Sequence, residues 1–454
     1  MIDDKKLAVL LAEAVKEKSG TAYYVGGCVR DKILGIENKD IDIEVHGIEA
    51  EELENILDSL GERMQFGKSF GVYNLKGSSI DIAMPRKEKL TGNRHTDFKI
   101  DVNPYLGTKK AAMRRDFTVN ALMEDILSGE IVDHFGGLDD IKNKIIRHVN
   151  DDSFAEDPLR VLRGAQFAAR FEFEIAENTK KLCSLMDIGT VSHERVFDEM
   201  KKALLKAEKP SLFFDNLRSM NQLSVWFPEL EALIGVEQSR RHHKEGDVYN
   251  HTMMVTDSAA EFREKAKNPL WFMLSALVHD FGKAVTTEIS GEEVHAIGHE
   301  KEGIAITEAF VKRLSNEKQL LKYVLNMVEY HMKPNVLAKD KSSVKATNKL
   351  FDESADPVGL IYLGVADGLG KISENEYIRT DEFLLGRLEI YNEYMSRPYV
   401  TGSDLISAGI KPGICFSEVM AYAHKLRLAG VTKDSALKQS VSYYKSNIVG
   451  KRGN

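Results

Sequence analysis

The chain has 454 residues, and at roughly 100 to 200 residues per domain this length predicts about three domains and room for more than one activity. Hydrophobic residues at 43%, charged residues at 29%, 33 Gly and 10 Pro describe a chain that buries an ordinary core, which excludes a disordered or fibrous protein. The net charge of -8 excludes a histone-like coat over phosphate backbones, so any nucleic-acid contact has to come from local basic patches. Cys28, Cys183 and Cys415 lie far apart with no C-x-x-C pair. That predicts neither a disulfide framework nor a cysteine zinc knot, and it fits a reducing cytoplasm. Leu7 to Ala12 is too short for a signal segment and is interrupted by Glu13. The longest largely apolar run, Leu270 to Val278, falls well short of the roughly 20 residues that cross a bilayer, so no membrane contact is expected.

From the N-terminus a helical pattern runs to about Lys18, followed by strand patterns near Ala22–Val25, Ile41–Val45, Gly71–Leu75, Ile80–Met84, Val119–Asp125 and Ile131–His134. Turn chemistry at Lys76-Gly77-Ser78-Ser79 and at Ser128-Gly129 predicts two antiparallel hairpins, hence a mixed-sheet α/β head and not a doubly wound parallel sheet. The first strand runs into Gly26-Gly27-Cys28-Val29-Arg30-Asp31. Paired glycines let a backbone approach a phosphate, a helix N-terminus offers free N–H groups, and Arg30 adds a charged fork. Taken alone, such a pair is more often an ordinary strand-to-helix turn. In Asp40-Ile41-Asp42-Ile43-Glu44-Val45 acid and aliphatic residues alternate, which on a strand puts Asp40 and Asp42 on one face and the isoleucines in the core. Two converging carboxylates suit magnesium, which combines carboxylate oxygens with substrate phosphates for in-line displacement. Asp81, central in Ser79-Ile80-Asp81-Ile82-Ala83, is the candidate third carboxylate.

The order Gly26-Gly27-Cys28-Val29-Arg30-Asp31, then Asp40 and Asp42, resembles the head of the class II tRNA nucleotidyltransferases and bacterial poly(A) polymerases. Further matches follow in that family's order: Arg86-Lys87-Glu88 opening a flexible polar loop, Arg114-Arg115-Asp116-Phe117-Thr118-Val119-Asn120-Ala121, and Glu156-Asp157-Pro158-Leu159-Arg160. The resemblance implies a polymerase-β-like head. It also implies that the Gly26-Gly27 turn, Arg30 and Arg115 hold the triphosphate, that Asp40 and Asp42 bind Mg2+, and that Asp116 orders the site. Residues 84–115 carry nine Lys or Arg against three acids, a local surplus suited to phosphate-rich ligands.

From about Asp151 the apolar residues recur at three and four, which predicts an all-helical remainder. Asp157, Arg160 and Arg163 fall three apart, as one stripe on a predicted helix. Cytosine and adenine share an amino donor beside a ring-nitrogen acceptor, and uracil and guanine present the reverse. A carboxylate with a guanidinium matches the first pattern and rejects the second. The resemblance implies this base-reading role for Asp157 and Arg160; a surface salt bridge is the plain alternative. Three residues beyond Arg163, where the family often has a further arginine, the chain has Gln166.

Seven of the 13 histidines fall between His242 and His331. From Asp247-Val248-Tyr249-Asn250-His251-Thr252 onward the chain resembles an HD-type phosphohydrolase domain, through His251, His279-Asp280, Gly298-His299-Glu300, Tyr330-His331 and Val365-Ala366-Asp367. Imidazoles and carboxylates on separate helices converge on a divalent transition metal and lower the pKa of bound water. The resemblance implies His251, His279, Asp280 and Asp367 as the metal set, with His299 and His331 for a second metal or a phosphate. His242 and His243, in the basic stretch Arg240 to Lys244, are set aside. The final stretch has turn chemistry at Thr401-Gly402-Ser403-Asp404 and Lys411-Pro412-Gly413, each followed by a helical pattern.

The chain therefore reads as α+β: a nucleotidyltransferase head with mixed sheet over 1–150, an all-helical neck over 151–235, an HD domain over 236–375 and a helical, tRNA-binding tail over 376–454. The expected activity is template-independent addition of C and A to the 3′ end of tRNA from CTP and ATP, with a phosphohydrolase in the HD part. An A-adding enzyme or poly(A) polymerase shares the head motifs. A nucleotide hydrolase with a regulatory head is the alternative of another class.

Overall fold

The computed structural model describes residues 3–38, 40–65, 72–90, 98–239, 243–291, 293–372, 379–413 and 415–449. The chain divides into two compact units, Met1–Ala203 with Leu212–Trp226, and Leu204–Ser211 with Phe227–Asn454. No helix among the described residues is long and apolar enough to cross a membrane.

The first unit contains strands β1 (Thr21–Val25), β2 (Ile41–His46), β3 (Arg63–Gln65), β4 (Val72–Leu75), β5 (Ile80–Ala83), β6 (Arg86–Leu90), β7 (Phe98–Val102), β8 (Met123–Asp125) and β9 (Ile131–Val132). Seven form one sheet in the order β3-β4-β5-β2-β1-β8-β9. β2 and β5 run parallel and the other neighbours antiparallel, including the two predicted hairpins β4–β5 and β8–β9. Ile43, Val45, Ile80 and Ile82 are buried with Leu7, Leu11 and Val15 of the helix Asp4–Glu17 and Leu53 and Leu57 of the helix Ala50–Leu60. Each such side chain contributes about 1.5–3 kcal/mol on burial. A one-residue slip of β2 would forfeit that for the whole row, so the register that sends Asp42 and Glu44 to the opposite face is strongly specified.

Three local expectations change. Arg86-Lys87-Glu88, read as the opening of a flexible polar loop, belong to β6, which pairs antiparallel with β7; the connecting residues 91–97 lie outside the described residues. The predicted strand Val119–Asp125 starts as a 3-10 turn over Thr118–Asn120, because Asn120 turns its side chain inward to Asp116 and Arg30, and extended structure begins only at Met123. The remainder expected to be wholly helical contains β11 (Glu174–Ile175), parallel to β10 (Ile145–Ile146), and a hairpin of β12 (Glu288–Ser290) with β13 (Glu293–His295).

After β10 the first unit continues with helices Asp151–Ala155 and Leu159–Phe171. Phe117, fully buried, meets Phe154 and Phe167 edge-on at ring-centroid distances of 5.5 and 5.8 Å, which fastens the run at 114–121 to both helices. In the second unit the helices Val248–Ala260, Pro269–Val278 and Pro357–Leu369 start from Asp247, Asn268 and Asp356, each of which accepts the N–H three residues on. Pro269 and Pro357 occupy the first helical position, where a missing N–H costs nothing. The tail turn Thr401-Gly402-Ser403-Asp404 is a capping box that opens the helix Gly402–Ser407.

Candidate active sites

In the parallel pair β2–β5, Asp42 stands opposite Asp81. Asn74 on β4 is opposite Asp81 in turn and donates Nδ2 to its Oδ1 at 3.2 Å. Asp40 is one residue ahead of β2, and all three aspartates are solvent-open. Desolvation pushes the Asp42 carboxyl up, Arg115 pulls it back, and Asp81 and Asp40 push it further up, as expected of like charges gathered in one place. Arg115 donates to Glu44 Oε2 and to the Asn120 carbonyl, each at 3.5 Å. Gly26, at φ 72°, turns the chain from β1 into the helix Gly27–Leu34. A methyl group on Gly26 would fall 2.8 Å from Arg115 Nη1 and 4.0 Å from Asp42 Oδ2, so glycine is required both by the backbone and by the close approach. The uncapped start of that helix, Arg115 and Asp42 thus share one corner of the sheet.

Arg30 departs from its expected place. Its side chain is 4% exposed and its guanidinium is spent on Asp31 Oδ1, at 2.5 and 2.7 Å, and on Asn120 Oδ1, against the rings of Phe167 and Phe171. It is a strut beneath the glycine turn in this structure and not an open phosphate fork. Asp116 accepts from the Phe117 amide, from Asn120 Nδ2 and from Arg163 Nε and Nη2. Burial opposes ionisation of Asp116, but Arg163 and these hydrogen bonds hold its pKa below the ordinary value.

Arg163→Ala is therefore expected to cost about 1.5–3 kcal/mol, the usual loss for a hydrogen-bonded charge left without its partner. Because the folded pKa of Asp116 is depressed, its contribution is present above the unfolded value near 3.9 and is lost as pH falls through the lower folded value. Urea melts of both proteins should differ at pH 7 and converge in acid; a gap that is constant with pH would contradict the assignment.

Asp157 precedes the helix Leu159–Phe171 instead of sharing its stripe. Pro158 separates the two, and the Asp157 carboxylate accepts the Leu159 amide at 3.1 Å and Arg195 Nη2 at 3.0 Å. Arg160 donates to the carbonyls of Ser153 and Arg114, at 2.6 and 2.8 Å. The plain alternative of an Asp157–Arg160 surface bridge is thus not what forms. Gln166 is buried, with its Nε2 unpartnered.

In the second unit His251, His279, Asp280, His299, His331 and Asp367 are all buried, none more than 6% exposed. Among the described residues two groups of donor atoms here lie within 4.8 Å of one another: His251, His279 and Asp367, and Asp280, His299 and His331. A further group is His243, Glu245 and His251, whereas Asp40, Asp42 and Asp81 do not form so tight a set. Asp280 is central, with Nε2 of His279 and His299 at 3.2 Å, of His251 at 3.4 Å and of His331 at 3.7 Å. Helix ends place these rings. His279 and His331 cap the helices Pro269–Val278 and Lys318–Tyr330, where backbone carbonyls lack helical partners, and their Nδ1 atoms bind the carbonyls three residues back. A Cβ at Gly282 would sit 2.0 Å from the His299 carbonyl, so glycine there lets the helix His299–Leu314 bring His299 against Asp280.

Burial opposes charge on Asp280 and Asp367, yet His279 and Lys283 around the first and Lys371 and His251 around the second hold both carboxyls well below their usual range. Burial and the charge of His279 push His331 down to about 3. The buried Nε2 atoms of His251 and His279 lie within 3.2–3.4 Å of the Asp280 and Asp367 carboxylates without well-formed hydrogen bonds, a donor set that suits a cation. Above the cluster is a cleft of about 260 Å³ lined by Asp280, His299, Asp367, Lys283, Lys371 and Gln238 among others. Lys283 reaches Asp280 at 2.7 Å and Gln238 Oε1 at 2.9 Å, and Lys371 reaches Asp367 at 2.8 Å.

Comparison with known proteins agrees with this geometry. The Poly A polymerase head domain family matches residues 22–147, the family described as probable RNA and SrmB-binding site of polymerase A matches 170–234, and the HD domain family matches 248–370. A multifunctional CCA protein of Haemophilus ducreyi is 37% identical over 325 residues, 70% of this chain and 76% of that protein. One of Pseudoalteromonas atlantica is 34% identical over 405 residues, 86% and 94% of the two chains. The chain belongs to the multifunctional CCA protein family. Among solved structures, a CCA-adding enzyme with ATP is similar in fold with a TM-score of 0.67 at 22% identity, over 98% of this chain and 95% of that one. The Thermotoga maritima CCA-adding enzyme complexed with tRNA gives 0.62 at 21% identity, over 97% and 98%.

The family resemblance read from the motifs and the α+β class are borne out. In this CCA-family chain several further residues shape the two sites. Glu44, the partner of Arg115, continues the same alternation as Asp40 and Asp42 and was open to discovery by that period. Asn120 lies inside a quoted motif, but its bond to Arg30 spans 90 residues and leaves no local signal. Lys283 and Lys371 follow their aspartates by three and four positions, a helical spacing that pairs them. His243, set aside in the sequence, lines the cleft, and His242 lies outside the described residues.

Proposed function

We propose that the chain adds C, C and A to the 3′ end of tRNA from CTP and ATP, releasing pyrophosphate, and carries a second, metal-dependent phosphohydrolase centre. The observation that carries the first part is the meeting of Asp42, Asp81, Arg115 and the Gly26-Gly27 turn at one corner of the sheet, in a chain of the CCA family. In this reading the terminal 3′-hydroxyl attacks the α-phosphorus of the bound triphosphate and pyrophosphate leaves. Asp40 and Asp42, with Asp81 beside them, hold Mg2+, which needs few protein carboxylates because substrate phosphates and water complete its shell. The bound ion supplies neutralisation of charge on the attacking and leaving oxygens. Amides at the start of the helix Gly27–Leu34 and the Arg115 guanidinium orient the triphosphate, while Arg30 and Asp116 brace the turn and the neck around it.

Asp157 accepts the amino group of C or A and Arg160 donates to the adjacent ring nitrogen, an edge that U and G lack. For this, both side chains exchange their present partners, Arg195 and two backbone carbonyls, for the base. On tRNA lacking its last three nucleotides, label from CTP and ATP should be incorporated and label from UTP and GTP should not. Arg160→Ala should admit UTP or GTP. Unchanged selectivity would leave Arg160 as a backbone clamp alone.

In the second centre His251, His279, Asp280 and Asp367 hold a divalent transition metal, and His299 and His331 serve a second metal or the phosphate. A metal held there would lower the pKa of a nearby water, the chemistry that hydrolysis of a phosphomonoester or 2′,3′-cyclic phosphate needs. Lys283 and Lys371 place two ammonium groups on the wall of the cleft for the phosphoryl oxygens. We assign 1–150 to the head, 151–235 to the base-selecting neck, 236–375 to the hydrolase and 376–454 to the tail, with neck and tail gripping tRNA by its shape. The cytoplasm, where tRNA and nucleoside triphosphates meet, is the compartment this activity requires.

A further inference from the structure

His251 differs from the other histidines of its cluster in what orients it. Nδ1 of His279, His299 and His331 each faces a neutral backbone carbonyl three residues back, that of Ala276, Ala296 or Val328, at 2.7 to 2.8 Å. Nδ1 of His251 faces the Glu245 carboxylate at 3.3 Å, with the Gly370 carbonyl at the same distance. The Glu245 side chain is 1% exposed, and both its oxygens are engaged: Oε1 also takes Nδ1 of His243 at 2.7 Å, and Oε2 accepts the Ile372 amide at 2.9 Å. The Lys244 amide donates to the Ile372 carbonyl at 2.7 Å, so the segment bearing Glu245 is laced to the chain just beyond the helix Pro357–Leu369, which carries Asp367. A buried carboxylate cannot donate, so each imidazole beside it presents an Nδ1–H to it, which leaves Nε2 as the atom that a metal can take. Nε2 of His251 faces the Asp280 and Asp367 carboxylates, 3.4 and 3.2 Å away, where a bound cation would take the place of its proton.

We propose that Glu245 is the positioning residue of the second centre: it fixes the Nδ1–H tautomer of His251, makes Nε2 a more basic ligand for a divalent metal, and ties that ring through Ile372 to the helix that supplies Asp367. A carbonyl orients an imidazole as well as a carboxylate does, but only the carboxylate adds negative charge to the ligand. The inference rests on the reading of the cluster as a metal centre.

The test is Co2+ binding to the metal-stripped full chain, read by calorimetry and by the visible absorption of the ion, for wild type, His279→Ala, Glu245→Gln and Glu245→Ala. The His279→Ala difference isolates this centre from oxygen ligands elsewhere in the chain. Glu245→Gln keeps shape and one acceptor while removing the charge, and its metal-free melting temperature reports folding, so the test stands even where Glu245→Ala does not fold. Glu245→Gln should weaken Co2+ binding roughly 10- to 100-fold and shift the absorption bands. If wild type takes up no Co2+, the metal reading fails and the proposal with it. If wild type binds, His279→Ala does not, and Glu245→Gln matches wild type in affinity and spectrum, the positioning role is overturned while the metal centre stands.

Discussion

Asp42→Asn should abolish nucleotide addition, lowering kcat by about 1,000-fold or more, while hydrolysis at the second centre continues at the wild-type rate. A factor of that size is about 4 kcal/mol of transition-state stabilisation, within what loss of a metal-held charge in phosphoryl transfer removes. Asparagine has nearly the volume of aspartate but no negative oxygen to offer. Folding should survive, because Asp42 is solvent-open and its charge is opposed by Asp81 and Asp40, so the variant sheds repulsion without opening a cavity. Initial rates of CTP and ATP incorporation, run beside thermal melts, give the answer. Addition at the wild-type rate would remove Asp42 from the site, and loss of both activities would mean that one shared centre had been mistaken for two. Hydrolysis without any addition, in wild type as in the variant, would favour the hydrolase with a regulatory head.

The converse experiment has an effect of similar size. His279→Ala should eliminate metal-dependent release of phosphate from phosphomonoesters or opening of 2′,3′-cyclic phosphates, with CCA addition intact. Its Nε2 lies 3.2 Å from the buried Asp280, which keeps Lys283 and the rings of His251 and His299 when His279 is removed, so the variant should lose some stability and remain folded. Asp280→Ala should likewise end hydrolysis but also destabilise the unit, by about 3–5 kcal/mol, because Lys283 and the rings of His251 and His299 then face one another without the buried carboxylate between them. Melts of the two variants in the same buffer distinguish the cases. Equal stability would mean that Asp280 is not the hub that its distances describe, and hydrolysis surviving in both would take the reaction out of this cluster.

What the sequence made legible follows from the range of the signals. The alternation Asp40 to Val45 is local and has the period of a strand, so the face and partners of Asp42 followed, and the turn at Lys76 to Ser79 announced the return strand that carries Asp81. The metal-type residues of the second unit were readable because each stands in its own short motif, at or beside a helix end. The fates of Arg30, Asp157 and Arg160 were not readable, since Asn120, Arg195 and Arg114, which hold them, lie 90, 38 and 46 positions away. Spacing alone puts Asp157 on the helix, although Pro158 marks the first turn and fits a start just after it. Glu245 sits in a loop beside a basic stretch, with no periodicity to single it out, and only the fold brings it against His251 and Ile372. The strands of two and three residues are too short to leave a period at all.

The central claim, that this chain completes the CCA end and then stops, is tested most directly by the sequence of its product. Purified protein is given CTP, ATP and Mg2+ with a tRNA lacking its last three nucleotides, and the 3′ ends are sequenced over time. The expected product is C, then C, then A, with no further growth. Addition of A only to tRNA already ending in CC, or long A tails on unrelated RNA, would contradict it.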